Sequence, residues 1–580
     1  MIALSRLNSM PPVQFAEALQ GIFEHSPWVA GRVAARRPFA SVLDLHAAMT
    51  SAVAAASGDE QLALIRAHPE LAGRARVRAG LTAESAREQS GAGLDSCTPD
   101  EFSRLHELNK AYTDKFGFPF ILAVRGHDRD SIITAFAERV QNSAAAERHE
   151  ALAQIGRIAF FRLTDAVSES AAARIMAMHE HLSKFSDDDS ALTCTYLRPA
   201  HRATAAAIGD FMLAAGLDVE IDAVGNVVGR WRCGRADAKT LITGSHYDTV
   251  TNAGKYDGRL GIALTIACVA HLRAQDAALP FDLEIVAFAE EEGVRFKSTF
   301  LGSSALAGSF DMRVLDHVDA EGVSMRAAMR EAGHDPDRIA AIARDPRTLA
   351  GYVEVHIEQG PVLLDAGRPL GVVTSIAGSV RMLVTITGLA GHSGTVPMAL
   401  RRDAAAAAAE IVLAVEKRCS ASAGLVGTVG RLEVPGGAIN VIPGRCELSI
   451  DIRAGSDPLR DGAVADVLAD IGRIAARRSV AVDVRRVLDA AAAPCDAAMQ
   501  RQIAAAITRT TREPAPLHLP SGAGHDAMKM ATITPVGMLF VRCGNGGISH
   551  HPDESLDADD AAIAARAFTD FLLHFEPVKP

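Results

Sequence analysis

The sequence predicts a multidomain protein in which an all-helical N-terminal segment is followed by a larger α/β segment. The chain has 580 residues, which is more than one hydrophobic core usually supports. Apolar residues recur at helical spacing up to about residue 165, and strand-like alternation is scarce before residue 190. After residue 190, short apolar runs typical of strands alternate with helical patterns. This change in the spacing of apolar residues predicts an all-α domain followed by an α/β domain.

Charge excludes one class of partner. Hydrophobic residues make up 48% of the chain and charged residues 22%, as in an ordinary folded protein. Residues 1–165 hold 18 Lys and Arg against 19 Asp and Glu, and the remainder holds 41 against 51. Neither part has the basic excess that binding to a phosphate backbone requires, so we expect no nucleic-acid partner.

We also expect no association with a membrane and no secretory leader. The sequence has no uncharged apolar run of 18 residues, and its first 20 residues lack the order of a signal peptide. The eight cysteines are scattered without CxxC pairs. This pattern favours reduced thiols and a cytoplasmic location over a disulfide framework or a zinc ribbon.

Amphipathic helices account for the N-terminal segment. Asn8 and Ser9 before Pro11 form a helix-start signal. The apolar positions that follow share one helical face: Phe15, Ala18, Leu19, Ile22 and Phe23. Similar patterns recur at 41–55, 100–116, 131–140 and 147–167. We therefore place an all-α domain at residues 1–166.

His68 stands directly before Pro69, a position that disfavours helical geometry and marks the end of an element. A surface histidine at a helix end would explain this string by itself. Three other strings accompany it: SPWVAGRVAARRPF at 26–39, SAREQSGAGL at 85–94 and NKAYTDKFGFPFILAVRG at 109–126. In order and spacing, the four strings resemble the 2-oxo-4-hydroxy-4-carboxy-5-ureidoimidazoline (OHCU) decarboxylases over residues 8–165.

This resemblance implies a decarboxylation that gives (S)-allantoin without a cofactor. By the family pattern, His68 handles the proton that replaces CO2, and Glu88 orients His68 or the substrate. Ser85 lies one helical turn before Glu88, so both could bond the ureido group. Arg162 matches a position expected to face the substrate's anion, although a solvated helix arginine would look the same. The run at 118–121 is expected to form the pocket wall, or to belong only to the core.

Five short motifs in the second segment supply the residue types of a dinuclear hydrolytic metal site. They are HYDTV from 246, KYDG from 255, AEEEG from 289, EVHIEQG from 354 and ISHHPDE from 548. Three of them continue strand-like apolar runs, at 240–243, 281–288 and 351–355. Because ligands gather at the carboxyl ends of strands in α/β sheets, we expect these side chains to meet in one crevice. Any one motif alone would more often be structural or solvated.

Two details of these motifs favour a metal site. Asp248 stands two residues after His246 and can hold the ring N–H that a bound metal does not need. The three successive acids at 290–292 would repel one another at a buried strand end unless a cation compensates. The motifs resemble the dinuclear-metal aminoacylase and carboxypeptidase superfamily over about residues 171–580. Within it they are most similar to allantoate amidohydrolases, ureidopropionases and N-carbamoyl-L-amino-acid hydrolases.

The resemblance implies a role for each matching residue. The implied metal ligands are His246, Asp257, Glu292, His356 and His550, with Asp257 bridging two ions. Glu291 is implied as the general base. His551 is the alternative to His550, which is preferred because it directly follows Ser549. Ligation by histidine and carboxylate permits two Zn²⁺ or two Mn²⁺ ions and does not choose between them.

Residues 377–484 have their own strand alternation and an alanine-rich helical stretch at 403–415. By resemblance they form an inserted α+β domain for dimerisation or for a lid. The α/β metal-binding catalytic domain would then consist of 171–376 and 485–580.

The same resemblance implies substrate contacts and a homodimer. His392 would reach across the dimer into the neighbouring site and stabilise an oxyanion. Asn440 and Arg453 would hold the substrate's carboxylate, and Gln359 and His525 would complete the substrate contacts. Outside the family context, His392 is an ordinary loop histidine and Arg453 an ordinary arginine at a strand end.

The C-terminal motifs alone do not fix the substrate, because this branch cleaves carbamoyl or ureido groups beside a carboxylate. A decarboxylase that forms allantoin is a sensible fusion partner for allantoate hydrolysis, which follows two steps later. By this pathway reasoning we expect a bifunctional purine-catabolic enzyme that converts allantoate and water to ureidoglycine, ammonia and CO2. One alternative is a C-terminal N-carbamoyl-L-amino-acid hydrolase or ureidopropionase. The other is that one half is a catalytically silent scaffold.

Overall fold

The computed structural model of the chain describes residues 1–71, 83–92, 94 and 97–578. Part of the predicted string at 85–94 therefore lies outside the described residues, as do Ala72 and Gly73 after the His68 string.

Helices dominate the N-terminal part. They are Leu4–Ser9, Pro12–Ala18, Trp28–Val33, Val42–Ala54, Gly58–Ala67, Ala83–Gly91, Pro99–Phe116, Arg129–Arg139, Ala144–Ala166 and Ala171–Leu182, with a 3-10 turn at Ala34–Arg36. Ser57 and Thr98 each begin a helix with a capping box, and Gly117 ends one in the left-handed conformation. A two-residue parallel ladder joins β1 (Ile2–Ala3) to β2 (Val167–Ser168). The predicted helical N-terminal segment is confirmed.

Strands and helices alternate after the helix Pro199–Ala214. The first strands are β3 (Asp218–Ile221), β4 (Val227–Trp231), β5 (Thr240–His246), β6 (Asp282–Phe288), β7 (Leu349–Ile357) and β8 (Leu370–Ile376). The helices among them are Arg259–Ala274, Leu301–Leu306, Met325–Glu331 and Val362–Asp365, with 3-10 turns at Met312–Asp316, Pro336–Ile342 and Pro346–Thr348. The predicted α/β character of this part is confirmed.

A second, antiparallel sheet follows β8. Its region contains β9 (Gly378–Thr387), β10 (Gly391–His392), β11 (Leu425–Glu433), β12 (Val441–Ile442), β13 (Arg445–Ala454) and β14 (Ala481–Ala490), the helices Ala404–Ser420 and Asp457–Arg478, and a 3-10 turn at Met398–Leu400. The sheet has the order β11-β13-β9-β14, and β10 pairs with β12 beside it.

We call residues 378–490 the four-stranded unit. Alternate residues of β9 are buried in a core of its own together with residues of the two long helices, so the helices cover one face of this sheet. The predicted boundary at residue 484 falls within β14.

The chain then returns to the large sheet. This last part contains β15 (Ala493–Pro494), β16 (Leu517–Ser521) and β17 (Val536–Val541), the helices Ala497–Thr511, Ala527–Met530 and Ala558–His574, and a 3-10 turn at Asn545–Gly547. The large sheet has the order β15-β8-β17-β7-β5-β6-β4-β3, with β16 beside β8. Neighbours β17, β7, β5 and β6 are parallel. Their carboxyl ends therefore share one edge, which is where ligands gather in sheets of this kind.

The N-terminal helices and the large sheet are joined by one continuous hydrophobic core. The ring of Phe211 lies edge-on to Phe160, with centroids 5.9 Å apart, and 5.7 Å from the ring of His181. Beside them, Arg157 pairs with Asp210 at 2.7 Å. The two parts thus pack directly on each other.

Two further sequence expectations concern thiols and membranes. All eight cysteines are free. Within the described residues, the helices are all too short or too polar to cross a bilayer.

Candidate active sites

The predicted metal ligands meet at the carboxyl edge of the parallel strands. We call them the Asp257 cluster: His246, Asp257, Glu292, His356 and His550. His246 is the last residue of β5, and His356 is the last but one of β7. Glu292 lies in the loop after β6, His550 lies in the loop after the 3-10 turn Asn545–Gly547, and Asp257 lies just before the helix Arg259–Ala274.

Asp257 lies at the centre of this cluster. Its Oδ1 lies 3.6 Å from Nε2 of His246 and 3.3 Å from Nε2 of His356. Its Oδ2 lies 3.0 Å from Nε2 of His550, which is in turn 3.5 Å from Oε1 of Glu292. The donor atoms therefore form two groups that meet at one carboxylate. Such an arrangement suits two cations bridged by a carboxylate.

Burial and charge around Asp257 fit a cation. Its Oδ1 is buried without a hydrogen-bond partner. Burial would raise the pKa of Asp257, but the neighbouring imidazoles of His246 and His550 hold that pKa well below its usual range. Burial also raises the pKa of Glu292 to about 7 and lowers the pKa of His356 to about 4. Imidazole and carboxylate donors held in this way fit Zn²⁺ or Mn²⁺.

Gly258 gives the ring of His246 its place. Its backbone is left-handed, with φ +65°, and a Cβ added there would lie 2.5 Å from Nε2 of His246. Any side chain at this position would be strained and would displace the donor atom.

Asp248 orients both a ligand and the acidic turn. Nδ1 of His246 lies 3.1 Å from the backbone carbonyl oxygen of Asp248 and 3.4 Å from its Oδ1. The two carboxylate oxygens of Asp248 also accept the backbone N–H groups of Glu291 and Glu292, each at 3.1 Å. This second role was not predicted.

The three successive acids take different positions. Glu292 faces His550, and the carboxylate of Glu291 lies near His246 and Glu292. Burial raises the pKa of Glu291 well above its usual value. Glu290 is also buried and accepts the backbone N–H of Gly293, so it is a structural residue rather than a solvated one.

Two predicted substrate contacts lie at the cluster, and a third contacts the loop that carries His525. Nε2 of Gln359 donates to Oδ2 of Asp257 at 2.9 Å. The ring of His525 lies 4.4 Å from that of His356 and is fully buried. Arg453, on β13, donates to the carbonyl of Gly522 at 2.9 Å. The four-stranded unit thus reaches the loop that carries His525.

His392 and Asn440 lie on the exposed rim of the four-stranded unit. His392 lies on β10, and Asn440 directly precedes β12, which pairs with β10. The N–H of Ser393 donates to the carbonyl of Asn440 at 3.0 Å. In the described part of the chain, their hydrogen bonds stay within this unit. Large apolar side chains are exposed around them: Leu389, Met398, Leu400 and Ile439.

Four predicted residues meet among the N-terminal helices, together with Glu24, which was not predicted. We call this group the His68 cluster: Glu24, His68, Ser85, Glu88 and Arg162. His68 follows the helix Gly58–Ala67 in an extended conformation, as the proline after it predicts. It is only 6% exposed, so the alternative of a surface histidine is excluded. Burial lowers its pKa to about 4, and its Nδ1 lies 3.0 Å from the carbonyl of Leu64.

Arg162 draws this cluster together. Its Nε and Nη2 donate to the two oxygens of Glu88 at 2.8 and 2.9 Å, and Nη2 also donates to Oγ of Ser85 at 3.1 Å. Its Nη1 donates to Glu24 at 2.9 Å. Arg162 is therefore a buried, paired arginine and not a solvated one. Sequence reasoning missed Glu24, whose only signal was an acid among apolar residues just before the string at 26–39.

A small cavity of about 30 Å³ adjoins the cluster. It is lined by His68, Glu88 and Arg162 together with Phe120 and Ile121 of the predicted pocket wall. A wider groove of about 1040 Å³ also reaches Glu88 and Arg162. The cluster is thus open to a small ligand.

Two buried acids of the C-terminal site were also missed. Glu354 accepts from Oγ of Ser245 at 3.1 Å and from the hydroxyl of Tyr352 at 2.9 Å. Glu554 contacts the loop that carries Asp257. Both stand inside the motifs already identified, which was the only sequence signal for them.

Comparison with known protein families separates the chain into the same two parts. The model of the OHCU decarboxylase family matches residues 8–164. The model of the peptidase family M20/M25/M40 matches residues 242–574.

Individual proteins are similar to the C-terminal part. An allantoate deiminase of Arabidopsis thaliana is 40% identical over 428 residues, which are 69% of this chain and 81% of that protein. An N-carbamoyl-L-amino acid amidohydrolase of Geobacillus stearothermophilus is 41% identical over 358 residues, 62% of this chain and 87% of that protein. A solved amidase of the hydantoinase/carbamoylase family from Burkholderia multivorans is 28% identical with a TM-score of 0.65, covering 70% of this chain and 98% of its own.

Proposed function

Because this chain belongs to the peptidase family M20/M25/M40 and carries an OHCU decarboxylase domain, we propose that it catalyses two reactions of urate breakdown. The N-terminal domain decarboxylates OHCU to (S)-allantoin. The C-terminal domain hydrolyses allantoate to ureidoglycine, ammonia and CO2. The observation that carries the proposal is the presence of the His68 cluster and the Asp257 cluster in one chain. An allantoin-forming site selects allantoate among the substrates that relatives of the C-terminal domain accept.

The Asp257 cluster would hold two divalent ions, Zn²⁺ or Mn²⁺. One group of ligands is His246, Asp257 and His356, and the other is Asp257, Glu292 and His550. The unpartnered Oδ1 of Asp257 supports this assignment. When bound, two such ions lower the pKa of a shared water and polarise the scissile carbonyl.

Glu291 then serves as the general base. It lies near His246 and Glu292, and its backbone is held by Asp248 at 3.1 Å. It accepts a proton from the attacking water and returns it to the departing nitrogen. Burial of its carboxyl group supports this role, because a raised pKa makes a carboxylate a better proton acceptor.

The substrate side of this site spans the crevice. Arg453 and Asn440 would hold the carboxylate of allantoate, while Gln359 and His525 contact the ureido group beside the ions. His392 would come from the four-stranded unit of a second copy and stabilise the oxyanion. The exposed position of His392 and Asn440, with large apolar side chains around them, supports a homodimer formed through this unit.

In the His68 cluster the neutral imidazole handles the proton. With Nδ1 bonded to a carbonyl, the neutral ring keeps its proton there and leaves Nε2 to accept one. As CO2 leaves, the electron pair of the broken C–C bond enters the substrate's own imine system, and the imine nitrogen takes up a proton from solvent. His68 accepts the proton of the substrate hydroxyl as that carbon becomes a carbonyl, and a proton returns to one face of the neighbouring ring carbon. Arg162 and Glu88 would position the anionic substrate for this transfer.

A second candidate function has a specific observation behind it. The N-carbamoyl-L-amino acid amidohydrolase of Geobacillus stearothermophilus is as similar to this chain as the allantoate deiminase is. The C-terminal domain would then hydrolyse N-carbamoyl-L-amino acids.

The deciding experiment compares kcat/KM for allantoate and for several N-carbamoyl-L-amino acids on protein reconstituted with Zn²⁺ or Mn²⁺. We expect allantoate to be preferred by roughly 100-fold or more, as is typical when a site's polar groups must all be matched. A higher kcat/KM for a carbamoyl amino acid than for allantoate would refute the allantoate assignment. Elemental analysis of the same sample tests the two ions.

A further inference from the structure

We propose that Glu554 is a positioning residue that sets the affinity of the Asp257 cluster for its ions. The inference rests on the proposed metal site and concerns a residue that is not itself a ligand. It assigns to Glu554 the placement of both the bridging aspartate and the loop of His550.

The carboxylate of Glu554 accepts hydrogen bonds from two loops that lie nearly 300 residues apart in the chain. Its Oε1 accepts the backbone N–H groups of Tyr256 and Asp257, at 2.8 and 3.1 Å. Its Oε2 accepts the hydroxyl of Ser549 at 2.7 Å. Ser549 directly precedes His550. One buried carboxylate therefore ties the loop of the bridging ligand to the loop of a terminal ligand.

The close approach of the two loops depends on a glycine. A Cβ added to Gly254 would lie 2.4 Å from Cβ, Cδ and Oε1 of Glu554. These are positions that real Cβ atoms do not occupy, so one of the two loops would have to move. Gly254 therefore leaves the space in which Glu554 is 5% exposed and fully bonded.

The three donors around Glu554 are all satisfied only by a side chain that accepts hydrogen bonds and donates none. Two backbone N–H groups and one hydroxyl point at the carboxylate, and a carboxylate accepts from all of them. Oγ of Ser549 also lies 3.2 Å from Oδ2 of Asp257. With Glu554 in place, the hydroxyl proton goes to Glu554, so the hydroxyl does not compete with a cation for Oδ2 of Asp257.

Glu554→Gln changes this assignment of protons. The amide would present N–H to Ser549, whose hydroxyl proton would then turn to Oδ2 of Asp257 and compete with the cation. We expect each metal ion to bind roughly 10-fold to 100-fold more weakly, the usual effect of losing a partner that orients ligands.

The test titrates metal-free protein with Mn²⁺ or Zn²⁺ alone and measures Kd by calorimetry or chelator competition, with bound ions counted by elemental analysis. The matched control is Glu358→Gln. Glu358 is a comparably buried glutamate, and its carboxylate accepts two backbone N–H groups, those of Val362 and Leu363, at 2.7 and 2.8 Å. The Glu358→Gln protein should bind metal with the same Kd as the wild type. A folded Glu554→Gln protein with wild-type Kd for both ions would overturn the proposal.

Two other variants decide the matter if Glu554→Gln does not fold. Ser549→Ala keeps the hydrogen bonds of Glu554 to the Asp257 loop and removes its bond to the loop of His550. It should therefore weaken the binding of one ion more than that of the other. Gly254→Ala should weaken both. Wild-type affinity in both variants contradicts the proposal. OHCU decarboxylation by the same samples reports whether the N-terminal domain is intact, and failure of the wild type to bind two ions refutes the proposed function instead.

Discussion

Arg162 donates to both carboxylate oxygens of Glu88, at 2.8 and 2.9 Å, from a helix 74 residues further along the chain. The planar guanidinium matches the carboxylate with two parallel hydrogen bonds. Its remaining N–H groups hold Ser85 and Glu24. One side chain thus sets the positions of three polar groups around the cavity beside His68.

Arg162→Lys should therefore impair decarboxylation although it keeps the charge. A lysine ammonium cannot reproduce the forked contact, and Ser85 and Glu88 would lose their common partner. We expect kcat/KM for OHCU to fall by roughly 100-fold, the usual scale for misplaced site groups. The measurement is the rate of allantoin formation. Allantoate hydrolysis by the same sample should be unchanged, and an unchanged decarboxylation rate would refute the positioning role.

The pH dependence of decarboxylation should reflect the burial of His68. Burial lowers the pKa of His68 to about 4, so the neutral form persists well below the usual histidine pKa of about 6.5. We expect the acid limb of kcat/KM to fall near pH 4. An acid limb at pH 6.5 that is lost in His68→Asn would contradict this.

A stability control must accompany that profile. The folded pKa of His68 lies below its unfolded value, so the unfolded chain takes up this proton first. The free energy of unfolding therefore falls as the pH drops from about 6.5 toward 4. Circular dichroism at each pH separates loss of folding from titration of the site.

Glu291→Gln should abolish hydrolysis and leave metal binding intact. In the proposed mechanism Glu291 accepts a proton, whereas the Asp257 cluster would hold the ions. Loss of a general base costs roughly 100-fold to 10,000-fold in rate. The checks are kcat for allantoate and the count of bound ions. His246→Ala is the contrasting variant, because it should lose ions as well as activity. Loss of ions in Glu291→Gln would make Glu291 a ligand instead.

Phe211→Ala should destabilise both halves together. Its ring lies between Phe160 of the N-terminal helices and His181, and it is 6% exposed. Removal of a buried phenylalanine ring costs about 3 to 5 kcal/mol. Urea unfolding measures the loss, and Phe102→Ala, at a position 36% exposed, is the control. Separate transitions, with one half unaffected, would show that the shared core contributes little.

Local sequence was enough to predict where a residue lies when its position depends on a single helix or strand. His68 lies where its proline ends a helix, and His246 and His356 lie where apolar runs end as parallel strands. Glu24 and Glu554 could not be found in this way. Each is defined by partners far along the chain, such as Arg162 for Glu24, and by burial that only the folded chain creates.

The four-stranded unit marks another limit of the sequence. Alternation predicted one strand of this unit, β9, yet the length of β14 depends on pairing with β9, which no local pattern records. The role of His392 depends on a second copy of the chain, and for that reason it stays a prediction.

The core shared by the two halves also constrains how the chain can be taken apart. A cut between the helices Ala144–Ala166 and Ala171–Leu182 would place Phe160 on one product and Phe211 on the other, each with an uncovered apolar face. Either product would need polar replacements there before it could serve as a separate module in an engineered pathway. Each half of this chain therefore covers apolar surface of the other, and an isolated half would expose it to water.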